Sequence, residues 1–127
     1  MNAEEAARRY YEAIDGGDDD SLAALLHPEF THDRPDRTLS GRDAFVRFMR
    51  EERPRTDTVH EVGAVYRETD AGDGDGHDDA GDAVEVVVRG RLRTEDGEDL
   101  FSFVDVFRVA DGTVHELTTY TDSHPER

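Results

Sequence analysis

The sequence predicts an α+β fold in which three N-terminal helices close over a curved, mostly antiparallel sheet. Three observations carry this prediction. Apolar residues recur at helical spacing up to about residue 52 and at a spacing of two beyond Pro54. The strand-like segments are joined by sequences such as Asp111-Gly112 that suit hairpin turns. Helices grouped before a meander of strands pack as two layers, and 127 residues suffice for one such core but not for two, so residues 1–127 form a single domain. No internal repeat is visible.

The first helix is expected over residues 3–15, with Ala3, Ala6, Ala7, Tyr10 and Ile14 as its apolar stripe and Gly16-Gly17 as its end. Asp18–Asp20 can cap a second, shorter helix carrying Leu22, Leu25 and Leu26, which stops before Pro28. An extended piece, EFTHDRPDR, follows. Ser40 with Asp43 resembles a capping box for a third helix that buries Ala44, Phe45, Phe48 and Met49 and runs to about Glu52. Residues 57–69, 83–94, 98–110 and 113–122 then read as four strands. Residues 70–82, DAGDGDGHDDAGD, suggest a calcium loop at first sight. An EF-hand begun at Asp73 needs Gly at 78 and Glu at 84, where this chain has Asp78 and Val84, so the stretch reads as a flexible acidic hairpin tip.

Acidic residues number 32 against 15 basic ones, all of them Arg, and the formal net charge is -17. Because the apolar residues are periodic rather than diluted, the excess belongs to a solvated surface over an ordinary core, as in proteins of halophiles. Such self-repulsion weakens the compact state in dilute buffer, and at molar salt, where the Debye length is about 3 Å, it is screened. The sign of the charge disfavours nucleic acid and anionic membranes as partners, and neither is expected. The absence of cysteine excludes disulfides and thiolate metal sites. His27, His32 and Asp33 have no firm metal-ligand spacing, so no metal and no cofactor is expected. The N-terminus has no apolar run resembling a signal peptide or a membrane span, and a cytoplasmic location is the expectation.

Asp105 stands out. In LFSFVDVFRVA, residues 100–110, it shares a strand face with Phe101, Phe103, Phe107 and Val109. A carboxylate on such a face is costly unless it is paired, hydrogen-bonded or protonated, so it marks a polar site inside an apolar cavity. His115, Leu117 and Thr119 share a face of the last strand and are expected to line that cavity with the three phenylalanines.

Three segments carry a family resemblance: RRYYEAIDGGDDDSLAALLHPEF, SGRDAFVRFM and FVDVFRVADGTVHELTTYTD. On them the chain resembles the nuclear transport factor 2-like superfamily, in its SnoaL-like and ketosteroid isomerase-like branch. The resemblance implies a cone-shaped α+β cup, often a homodimer through the sheet, with a hydrophobic pocket for a small apolar ligand. Tyr10 falls where the isomerases keep a tyrosine that donates to the substrate oxyanion, and Asp105 where they keep a protonated aspartic acid, the second donor. Asp33 lies close to the position of their general base, and His32 competes with it. The resemblance therefore implies proton abstraction beside a carbonyl without a cofactor, by an isomerase or cyclase. Epoxide-hydrolase relatives use an Arg two residues before the strand aspartate; Phe103 stands there, which disfavours that chemistry. Bland readings stand beside the sharp ones: Asp105 paired with an Arg, Tyr10 as a core tyrosine, and HDRPDR as a surface salt-bridge network. On those readings the chain is a non-catalytic binding or dimerisation module.

Overall fold

The computed structural model describes residues 2–52, 58–68 and 83–122. Helix α1, Ala3–Gly16, starts where the Asn2 side chain accepts the Glu5 N–H at 2.7 Å. It ends at Gly17, whose positive φ of 67° turns its N–H back to the Ala13 and Ile14 carbonyls. Helix α2, Asp19–Leu25, is capped by Asp18, which accepts the Ser21 N–H at 3.1 Å. Strands β1, Leu26–Asp33, and β2, Thr38–Ser40, form a hairpin with Pro35 in its turn. Helix α3, Arg42–Arg47, continues as a π-helical turn, Phe48–Glu52. Strands β3, Thr58–Arg67, β4, Val84–Thr94, β5, Asp99–Ala110, and β6, Thr113–Thr121, complete the elements of the described residues. The acidic stretch 70–82 lies outside the described residues.

The six strands lie in the order β2-β1-β6-β5-β4-β3, antiparallel throughout except for the parallel pair β1–β6. Two expectations need correction. EFTHDRPDR is not merely extended: Glu29–Asp33 belong to β1, which is paired on both sides, with β2 and with β6 from the far end of the chain, and residues 34–37 make the turn into β2. Ser40 is not the cap of α3. Pairing with Thr31 holds Ser40 in β2, and Gly41 takes the N-cap position at φ 97° without a side-chain cap, its N–H reaching the Phe30 carbonyl at 2.7 Å.

Helix α1 packs across β3, β4 and β5, with Ala6 and Ala7 fully buried at the close approach. Between the layers lie Phe30, Phe45, Phe107, Leu22, Leu117, Val86 and Val88, all fully buried. Each such side chain contributes about 1.5–3 kcal/mol relative to exposure. Along β5 the residues Phe103, Asp105, Phe107 and Val109 face this core, so Asp105 does share its face with phenylalanines. The opposite face carries the directly paired Val104 and Tyr120, and Val87 paired with both Tyr66 and Val106.

Gly90 positions the wall of the interior beside Asp105. It pairs with Val62 on one side and Phe103 on the other. A Cβ at Gly90 would meet the Glu61 carbonyl oxygen and would lie 2.9 Å from Phe103 Cζ. The Phe103 ring thus occupies the space that a side chain on β4 would fill.

Candidate functional site

Strand pairing sets Asp105 of β5 directly opposite Thr119 of β6, and Thr119 Oγ1 donates to Asp105 Oδ1 at 2.6 Å. The other oxygen, Oδ2, accepts from the Tyr11 hydroxyl of α1, also at 2.6 Å. His32 Nε2 lies 2.8 Å from Thr119 Oγ1. Since the Thr119 hydroxyl hydrogen goes to Asp105, its oxygen accepts from His32, which places the imidazole proton on Nε2 and leaves Nδ1 bare. Nδ1 is buried and has no hydrogen-bond partner, so nothing calls for a proton on it. Asp105 is 4% exposed, and burial pushes its carboxyl above the usual carboxylate range against the opposing hydrogen bonds from Thr119 and Tyr11. Both oxygens already accept one hydrogen bond, so a proton held on this carboxyl occupies a remaining lone pair. Burial, with the charge of Arg34 adding to it, pushes the His32 imidazole down to about 3 and keeps the ring neutral. Burial and the neighbouring Asp105 likewise hold the proton on Tyr11.

Asp105, Thr119 and His32 open onto a cavity of about 380 Å³. Its apolar walls come from Tyr10, Ile14, Met49, Leu92, Leu100, Phe101 and Phe103. Arg34, Pro35 and Asp36 of the β1–β2 turn also line it, with Arg34 Nε 3.4 Å from Asp36 and its guanidinium 5.0 Å above the Phe48 ring. A mostly apolar enclosure with a few convergent polar groups suits a small ligand.

A second polar pair faces the same cavity. Asp15, in the last turn of α1, accepts the backbone N–H of His60 at 2.9 Å on Oδ2 and lies 2.6 Å from His60 Nδ1 through Oδ1. The His60 ring lines the cavity, tilted against Tyr11 at 5.1 Å and edge-on to Phe103 at 5.6 Å.

The candidates from the sequence fall on both sides of this boundary. Asp105, His32, Tyr10, Phe101, Phe103 and Thr119 line the cavity. Tyr10 is not the tyrosine bonded to Asp105, however; its ring packs on Phe45 and Phe107 while the next residue, Tyr11, makes that bond. Asp33 points away. Strand alternation puts Phe30 and His32 inward and Asp33 outward, exposed and bonded to Thr38 Oγ1 at 3.1 Å. Phe107 and Leu117 are core residues off the cavity wall, and His115 stacks on His27 at 4.2 Å outside it. Among the described residues no Arg pairs with Asp105, and no group of three metal-ligating side chains is placed to hold an ion.

The reading from sequence missed Tyr11, Asp15 and His60. The row Ala3, Ala7, Tyr11 at intervals of four marks Tyr11 as inward-facing. An acidic residue in the last turn of α1, with no basic one there, opposes the helix dipole and so points to a tertiary partner for Asp15.

The SnoaL-like domain family matches this chain over residues 7–117. The chain belongs to that family. This SnoaL-like protein is also similar to solved structures that share its fold. A provisionally assigned polyketide cyclase from Sinorhizobium meliloti is 16% identical with a TM-score of 0.70, covering 91% of this chain and 94% of that one. A provisionally assigned ketosteroid isomerase from Kribbella flavida is 23% identical with a TM-score of 0.71, covering 98% and 80%. An NTF2-like protein of unknown function from Cytophaga hutchinsonii is 13% identical with a TM-score of 0.72, covering 96% and 91%. At such identities the likeness is one of fold, here the NTF2-like α+β fold. No curated protein matches the SnoaL-like chain. No helix among its described residues is long and apolar enough to cross a membrane.

Proposed function

We propose that this SnoaL-like protein is a cofactor-independent isomerase or cyclase acting on a small, largely apolar carbonyl compound held in the cavity. The observation that carries this reading is a carboxyl disposed to stay neutral, Asp105, on the wall of an apolar enclosure. A neutral carboxyl donates a hydrogen bond to an oxygen on which charge develops as a proton leaves the neighbouring carbon. A preorganised donor of this kind contributes roughly 3–4 kcal/mol to the transition state. The same logic operates in ketosteroid isomerase, a relative in fold. Tyr10, which lines the same wall, is the proposed second donor. His32 lends its N–H to Thr119 and, with its ring held so far down, is a weak base; its part is to orient Thr119 and, through it, Asp105.

A second reading draws on the same network. Both Asp105 oxygens are satisfied within the chain, which suits a binding cavity without turnover. Solvent exchange separates the two readings. Cyclic ketones and β-diketones are incubated with the protein in heavy water at molar KCl, and loss of the proton beside the carbonyl is followed by NMR. The enzyme reading expects exchange above the buffer rate, slowed about 10²- to 10³-fold by Asp105→Leu. Ligand binding without exchange supports the binding module, and absence of binding refutes both.

We also propose that a second copy of the chain covers the outer sheet face. Tyr66 and Tyr120 there are 53% and 58% exposed beside Val87, Val104 and Val106. Sedimentation should show a dimer that Tyr120→Glu dissociates; a monomer at all concentrations excludes it.

A further inference from the structure

We propose that the Asp15–His60 pair is the proton acceptor of this cavity, His60 Nε2 taking the proton from the bound ligand and Asp15 positioning the ring. The inference rests on the carbonyl-ligand reading above and assigns the base which that reading leaves open.

The geometry fixes the tautomer. An ionised carboxylate only accepts hydrogen bonds, so the 2.6 Å contact between Asp15 Oδ1 and His60 Nδ1 places the ring proton on Nδ1. Asp15 Oδ2, bonded to the His60 backbone N–H at 2.9 Å, locks the carboxylate in that orientation. In the neutral ring Nε2 then carries the lone pair, and no protein group among the described residues is bonded to it, while His60 lines the cavity. The side chains of His60 and Asp15 are 19% and 21% exposed, so the pair is largely shielded from water yet reachable.

Placement relative to Asp105 is as informative. The ring centroids of Tyr11 and His60 are 5.1 Å apart, and the Tyr11 hydroxyl donates to Asp105 at 2.6 Å. The acceptor and the donor therefore stand one tyrosine apart, both on the cavity wall. His60 is close enough to Asp105 for a positive charge on it to draw the Asp105 carboxyl down. His32, the other cavity imidazole, has its Nε2 committed to Thr119 and its Nδ1 buried.

The step balances without a co-reactant. His60 Nε2 takes the proton from the carbon beside the carbonyl, and the C–H electron pair becomes the C=C of an enolate. The carbonyl oxygen, now negative, accepts the hydrogen bond from Asp105. The imidazolium so formed faces the Asp15 carboxylate. Return of the proton from Nε2 to a different carbon completes an isomerisation, with nothing oxidised or reduced.

The test uses 2-naphthol, which is neutral in solution at pH 7 and absorbs differently once ionised. It is titrated into protein carrying ¹⁵N-labelled histidine in molar KCl. In the free protein His60 should show a protonated Nδ1 and a bare Nε2; on binding, naphtholate absorption should appear together with protonation of His60 Nε2. His60→Gln should bind naphthol without the naphtholate signal. Asp15→Asn should cut the ionised fraction at least tenfold while binding persists, a split that loss of structure alone does not produce. Naphtholate forming in His60→Gln, or wild-type binding with His60 unchanged, overturns the inference and leaves the carbonyl-ligand reading intact. Absence of binding, or binding indifferent to Asp105→Leu, removes that reading and this inference with it. If either variant fails to fold, the free wild-type spectrum still decides, because a proton on Nε2 contradicts the proposed tautomer.

Discussion

Replacing His32 with Gln should remove a large acid sensitivity from the fold. His32 is 3% exposed, and burial drives its imidazole down to about 3 in the folded chain from an ordinary value of 6.5. The sign follows from proton counting. As pH falls below 6.5 the unfolded chain takes up a proton at His32 and the folded chain does not, so folding loses free energy until the folded value is reached. His32 thus contributes stability that is fully present above pH 6.5 and is lost on the way to about pH 3. Each pH unit in that window costs about 1.4 kcal/mol, which makes about 5 kcal/mol for the whole window and about 3 kcal/mol between pH 7 and pH 4. Gln keeps an N–H that reaches Thr119 and does not titrate. Asp105 titrates with the opposite sign, since its folded value is raised, but it does so in both proteins and largely cancels in the difference. Urea unfolding of wild type and His32→Gln at pH 7, 6, 5 and 4, in molar KCl to suppress general charge effects, measures the gap. Wild type should lose about 3 kcal/mol relative to the variant over that range. Parallel stability curves would refute the claim that His32 is buried neutral.

Three further outcomes follow from other parts of the molecule. Gly90→Ala should destabilise by about 1–3 kcal/mol in denaturant unfolding, because its Cβ meets backbone at Glu61 and the Phe103 ring. Asp33→Asn should leave 2-naphthol binding unchanged and shift stability by less than about 0.5 kcal/mol, since Asp33 is exposed and off the cavity; a large loss of binding would restore it as a candidate base. With a net charge of -17, the melting temperature should rise steeply from dilute buffer to molar KCl, and a flat profile would show that the acidic surface carries no such penalty.

What the sequence makes legible is what local periodicity encodes. The Asp111-Gly112 hairpin has φ values of 55° and 77°, the left-handed pair that such a dipeptide favours, and it pairs Ala110 with Thr113. The one-residue register shift between Arg108 and Val109, which then brings Asp105 opposite Thr119 rather than Thr118, has no such local signal. Asp105 among phenylalanines was visible because a period of two sends alternate side chains to one face. The choice between His32 and Asp33 was also within reach, because Phe30 two residues earlier marks the inner face of β1. Contacts between distant segments were not legible. Asp15 and His60 are 45 residues apart, and Tyr11 and Asp105 are 94 apart. Nothing local distinguishes Tyr11 from Tyr10, since both are buried on α1 and only the position of β5 decides which hydroxyl meets the carboxyl. The parallel partner of β1 escaped for the same reason.

The central claim is a neutral carboxyl at Asp105, and infrared spectroscopy observes it directly. The difference spectrum of wild type minus Asp105→Asn is recorded at pH 7 in molar KCl. A protonated-carboxyl C=O stretch in wild type, unchanged until the pH is raised well above the ordinary carboxylate range, is the predicted result. Carboxylate bands alone at pH 7 would contradict the account.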